Sequence, residues 1–174
     1  MNVSARSAAD VDLPELVRLA EQFATEVEAE RGGWLWLRND PARGEPEQTL
    51  RSAIADPRAI VLVGLIDDVS LGYIVARLHP MRDDQMIAVI SDILVEEPAR
   101  GVGVGAALIE KVLIWAKERE CVGVDATALP GMRSTKNFFE AWGFTARALI
   151  VHRSLRERPA VPAGAVPDPP DEVH

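Results

Sequence analysis

An arginine followed by three glycines at alternate positions is the part of this chain best suited to chemistry. Arg100 precedes Gly101, Gly103 and Gly105, with Val102 and Val104 between them and Ala106 after. An apolar run over residues 87–95, broken by Ser91 and Asp92, enters the turn, and a helical pattern over 106–119 leaves it. A glycine-rich turn that opens a helix can hold a phosphate with backbone alone. The missing side chains let the main chain approach, several N–H groups converge, and the helix N-terminus adds positive potential.

Two familiar phosphate loops fit this turn poorly. A nucleoside-triphosphate loop needs Lys and then Ser or Thr after its last glycine, whereas Ala106 and Ala107 stand there. A dinucleotide fingerprint is met in form by Gly101, Gly103 and Ala106, with Asp125 about 20 residues on. That motif should follow its strand at once, yet Glu96, Glu97, Pro98, Ala99 and Arg100 intervene. It also opens a run of βαβ units, and too little chain remains for one. An oxidoreductase that binds a dinucleotide is therefore the weaker alternative.

The elements that must position the turn follow from periodicity and punctuation. Residues 3–6 read as a strand. Leu13, Leu16, Val17, Ala20, Phe23, Ala24 and Val27 recur at helical spacing, and Gly32 and Gly33 stop that helix. Trp34 and Trp36 fall in an expected loop with Asn39, Asp40, Pro41 and Gly44, where they either pack on the core or cover a pocket. A second helix spans 46–55. Residues 59–66 and 71–78 form a hairpin about Asp67 and Asp68, and 86–95 is the next strand. After the glycine turn and its helix come a strand at 123–128, a helix at 134–142 closed by Gly143, and a last strand at 145–155. The order is β-α-α-β-β-β-α-β-α-β, a mixed α/β domain on one sheet.

Bulk properties bound the rest. The chain has 174 residues, enough for one domain with a real core, and no internal repeat. Its net charge is −8, and no basic patch or arm points to nucleic acid. Cys121 is the only cysteine, which rules out an internal disulfide and multi-thiolate zinc sites; it reads as a buried structural thiol. No leader pattern and no apolar stretch of the ~20 residues needed to span a bilayer stand out, so a cytoplasmic protein is expected. Residues 157–174 hold five prolines and several acidic residues and read as a disordered tail after a domain of residues 1–156.

One family accounts for both the turn and its setting. Arg100-x-x-Gly103-x-Gly105 resembles the R/Q-x-x-G-x-G/A signature of the GNAT superfamily of acyl-CoA-dependent N-acyltransferases. The segment Asn137-Phe138-Phe139-Glu140-Ala141-Trp142-Gly143-Phe144 is similar to that family's late helix with its Gly-Phe end. Element order and length agree over nearly all of residues 3–155. The resemblance implies a mixed, mostly antiparallel sheet with helices on both faces. It implies acetyl-CoA as co-substrate, with Arg100, Gly101, Val102, Gly103, Val104, Gly105 and Ala106 at the pyrophosphate. It implies that Ile93, Leu94 and Val95 hold the pantetheine arm by backbone bonds, with the Ile93 N–H polarising the thioester carbonyl. Asp92 becomes the candidate general base.

Two positions depart from the family pattern. Val89 stands where relatives often carry Glu. Phe139 stands where many carry the tyrosine that protonates the leaving thiolate, and the only tyrosine, Tyr73, reads as a packing residue. These departures also leave room for a non-catalytic acyl-CoA sensor. The acceptor is an amine on a small molecule or protein, expected near residues 34–44 and 79–84. Asp40, Glu45, Asp83 and Asp84 there suit a polyamine, a lysine or an aminoglycoside, with His79 as a possible contact. Trp34 and Trp36 suit an apolar or aromatic acceptor instead. Related enzymes suggest a homodimer through sheet edges.

Overall fold

The computed structural model describes residues 1–39 and 44–155. Its elements are β1 (Val3–Ser7), α1 (Leu13–Glu28), α2 (Gly33–Arg38), α3 (Pro46–Ala55), β2 (Ala59–Ile66), β3 (Val69–Pro80), β4 (Met86–Val95), α4 (Val104–Glu118), β5 (Val124–Ala126) and α5 (Arg133–Ala141). The strands form one sheet in the order β1-β2-β3-β4-β5. Neighbours are antiparallel except β4 and β5, which run parallel.

Alternation along the strands builds a core on each face. Leu62 of β2 and Ile74 and Ala76 of β3 pack with Val104, Leu108 and Val112 of α4. Their neighbours Val61, Val63, Tyr73 and Val75 point the other way, against Leu16, Leu19, Phe23 and Val27 of α1 and Leu50 of α3. A period of two on the strands and a stripe every three or four residues on the helices make this a three-layer stack. Asp67 and Asp68, at φ 46° and 67°, close the β2–β3 hairpin. Two consecutive left-handed residues give the turn whose twist matches its strands.

Three local expectations need correction. Trp34 and Trp36 lie on α2, not in a loop. The Trp36 N–H donates to the Gly32 carbonyl at 3.0 Å, which starts a helical turn, and the Trp36 ring meets Phe23 edge-on at 6.1 Å. The helix after the glycine turn begins two residues early, at Val104, whose side chain is fully buried. Residues 145–155 form no strand. Leu149, Ile150 and Val151 are 83%, 91% and 85% exposed. Their β-branched, apolar pattern favours a strand only where a neighbouring edge receives it, and β5 offers just three residues of ladder. The expected tail, 157–174, lies outside the described residues.

Candidate active site

β4 carries one irregularity, and the site is built on it. Val75 pairs with Asp92 and Ala76 with Ile90, so Ser91 is an extra residue in the ladder. A bulge of this kind reverses which face and which edge each later residue addresses. Before it, the Ala88 N–H donates toward β5, to the Gly123 carbonyl at 3.1 Å, and Ala88 and Ile90 pack in the α4 core. After it, Leu94 packs in the α1 core, and the Glu96 N–H donates toward β3, to the Leu71 carbonyl at 2.9 Å. By the same alternation Asp92 turns to the α1 face. The backbone groups of Ile93 and Val95 turn away from β3, toward the β5 side.

That edge is open. β5 pairs with β4 only from Ala88 to Ile90 and then departs. The gap opens into a narrow cleft. Phe23 and Val27 of α1 and Trp36 of α2 form one wall; Leu129, Met132, Thr135 and Phe139 form the other; Ser91, Asp92 and Ile93 are the floor, with Thr127 beside them. The Ser91 hydroxyl donates to the Asp92 carboxylate at 2.6 Å.

The glycine turn lies between β4 and α4. Gly103 sits at φ 105°, a left-handed conformation that side chains resist, directly before α4. The first helical bond there is from the Ala107 N–H to the Gly103 carbonyl at 3.0 Å. The N–H groups of the turn before Ala107 are the orphan donors of a helix start. Gly105 lies where a Cβ would come within 3.2 Å of the Phe138 ring, so the late helix packs directly on the turn. Arg100 donates from Nε to the Val95 carbonyl at 2.8 Å and from Nη2 to Glu26 of α1 at 2.7 Å. Arg18 of α1 reaches Glu96 at 2.8 Å and Glu15 at 2.5 Å. These pairs tie α1 to the segment that follows β4, and the two carboxylates hold the Arg18 guanidinium well above its ordinary value.

Asp92 and Ile93 line the cleft, and residues 100–106 continue from the open edge. Leu94 is buried and pairs with Tyr73. His79 is not at the cleft. It is exposed and pairs with Ile87, six residues along β4 from Ile93, about 20 Å away. Asp83 and Asp84 lie on the loop at that same far end, and Asp40 falls outside the described residues. Tyr73 is buried and edge-on to Phe23 at 6.4 Å. Asp125 is paired with Arg147, which holds its carboxyl below the ordinary range. Cys121 is half-buried, and that burial raises its thiol. Sequence reasoning did not single out Thr127, Thr135 or Met132, whose approach to β4 carries no local signal. The Glu26 partner of Arg100, 74 residues away, carries none either. Among the described residues no cluster of His, Cys, Asp or Glu could hold a metal, and no helix is long and apolar enough to cross a membrane.

The sheet opens between its two parallel strands, and the glycine turn follows the opened strand. The profile of the Acetyltransferase (GNAT) family matches residues 15–144, and the chain belongs to that family. No curated protein matches the chain by sequence. Among solved structures, it is similar to a tetramutant protein from Bacillus halodurans, with 21% identity, 89% of this chain and 100% of the other covered, and a TM-score of 0.73. It is also similar to an aminoglycoside acetyltransferase from an uncultured soil metagenomic sample, solved with sisomicin (18%, 90% and 97%, TM-score 0.66). A transcriptional regulator from Bacillus halodurans shares the fold too (22%, 87% and 100%, TM-score 0.64).

Proposed function

We propose that this chain transfers an acetyl group from acetyl-CoA to a primary amine of a small molecule or protein, by direct attack with both substrates bound. One observation carries the reading: β5 pairs with β4 only from Ala88 to Ile90, so Ile93 lies on an open edge of the strand that leads through the glycine turn to α4. An extended, amide-bearing arm such as pantetheine can add to that edge as a strand does. The left-handed turn at Gly103 and the N–H groups of Val104, Gly105 and Ala106 suit a pyrophosphate. Gly101, Val102 and Arg100 sit at the same mouth, and Leu94 sets the strand that carries Ile93.

The Ile93 N–H would polarise the thioester carbonyl, and most of the rate gain would come from positioning. Asp92, one residue upstream and on the α1 face, would take a proton from the acceptor ammonium to free its lone pair. The nitrogen bonds to the carbonyl carbon, the carbon–sulfur bond breaks, the sulfur leaves with the bonding pair, and the nitrogen gives its second proton to water as the amide forms. Phe139 lines the cleft and has no proton to give. A thiol of pKa ~8.5 leaves tolerably as the thiolate.

A stability shift by acetyl-CoA but not by NADPH tests the binding half of this reading. Release of free thiol from acetyl-CoA with a panel of amines tests the chemistry. Binding without turnover across a broad panel would favour an acyl-CoA sensor. A homodimer stays a proposal, supported by the exposed Leu149, Ile150 and Val151. Light scattering of Ile150→Lys against the parent chain checks it.

A further inference from the structure

The peptide unit between Val95 and Glu96, where β4 ends, is gripped from both sides. The Glu96 N–H donates to the Leu71 carbonyl of β3 at 2.9 Å. On the opposite side the Val95 carbonyl accepts from Arg100 Nε at 2.8 Å. A relay of side chains carries that second bond on to α1. Arg100 Nη2 donates to Glu26 Oε2 at 2.7 Å, and Glu26 Oε1 accepts from Gln22 Nε2 at 3.0 Å. Arg18, Gln22 and Glu26 stand four residues apart on α1, so they form one stripe along the helix. The stripe holds the β4–α4 connection at two points. Arg18 meets Glu96 at 2.8 Å where the connection starts, and Glu26 meets Arg100 where the glycine turn starts. The charges are crossed, so the reversed alignment would set Arg18 on Arg100 and Glu26 on Glu96. Like charges brought together disfavour it.

From this relay, and resting on the acetyl-transfer reading above, we infer that Glu26 is a positioning residue for the cofactor. Through Arg100 it fixes the Val95 carbonyl, and with it the angle at which the chain leaves β4 for the glycine turn. Arg100 then serves the cofactor through the backbone it holds, not as a counter-charge to the pyrophosphate. Its fork suits that task, because Nε and Nη2 reach β4 and α1 at once in a fixed geometry. A lysine ammonium carries the same charge without that geometry. Glu26 balances the Arg100 charge, which leaves the anion to the N–H groups of the turn.

Titration calorimetry of the full chain with acetyl-CoA, with thermal melts alongside, tests this. Glu26→Ala should weaken acetyl-CoA binding about fivefold. Its melting temperature should stay close to the parent's, because an ion pair this exposed adds little to stability. Glu26→Gln keeps an oxygen for Arg100 and should restore most of the affinity. Arg100→Lys keeps the charge, loses the fork and should bind as weakly as Glu26→Ala. Parental or tighter binding in Glu26→Ala overturns the inference; tighter binding is what a carboxylate that only repels the anion would give. An equal loss in Glu26→Gln assigns the effect to charge and overturns it too, as does parental affinity in Arg100→Lys. Each of these results leaves acetyl transfer standing. A parent chain that binds no acetyl-CoA overturns the acetyl-transfer reading itself, and the inference with it.

Discussion

Asp92 is a carboxylate set on the floor of the cleft, with the Ser91 hydroxyl donating to it. Asp92→Asn keeps the shape and the hydrogen bond but removes the proton acceptor. Turnover should fall roughly a hundredfold, a usual worth for a general base, while the acetyl-CoA stability shift stays intact. Unchanged turnover would remove Asp92 from the chemistry. Gly103 poses a different demand, since its φ of 105° disfavours any side chain. Gly103→Glu adds both strain and a negative charge where an anion should sit. The strain costs roughly 1–2 kcal/mol, and acetyl-CoA should no longer shift the melting temperature. A retained shift of parental size would show that the pyrophosphate lies elsewhere.

At the scale of elements, β4 decides the site through its bulge. Ser91 is the extra residue that turns Asp92 and Leu94 to the α1 face and Ile93 and Val95 to the open edge. Deleting Ser91 restores a regular ladder and forces one half of the strand to exchange faces. Losing Leu94 from the α1 core alone costs roughly 2–3 kcal/mol. The melting temperature should drop by about 5–10 °C, and thiol release should vanish. Ser91→Ala keeps the bulge and gives up the 2.6 Å bond to Asp92. It should melt close to the parent and retain measurable turnover. A deletion variant as active as Ser91→Ala would refute the role of the bulge. The limits of β4 were legible, because a run of Ile, Val and Leu ends at a turn; so were those of α3, between Pro46 and Asp56. The bulge was not, because Ser91 and Asp92 read equally well as a plain break in an apolar run. The helix at Trp34 and Trp36 was not legible either, since six residues make too little periodic pattern and their order comes from contact with Phe23.

Across the whole molecule, two ion pairs link folding to pH. The Asp12 carboxylate is buried and accepts two bonds from Arg6, at 2.7 and 2.8 Å, and one from the Ala9 N–H at 2.8 Å. The Arg6 bonds, chiefly, hold it below its ordinary value of 3.8. Asp125 is lowered in the same direction by Arg147. A carboxyl with a folded pKa below its unfolded one contributes stability that is fully present above the unfolded value. That contribution is lost as pH falls through the folded value. Melting temperature should therefore hold down to about pH 4 and decline below it. Asp12→Asn should lower stability by roughly 1–3 kcal/mol near neutral pH, the worth of a charged hydrogen-bonded group, and flatten the acid decline. An acid limb identical to the parent's would assign the decline to other groups. By itself, the sequence determined β1, α1, α3, the three strands β2 to β4, α4 and α5 in their order, and the family. Periodicity, turn residues and the spacing of Arg100, Gly103 and Gly105 are local properties of the chain. Only the tertiary structure decided which residues face the cleft, that Glu26 holds Arg100, and that residues 145–155 pair with no strand. The reason is physical: strand register, the phase change at a bulge and the partner of a charge are set by segments far apart in sequence, and no short stretch of residues contains them.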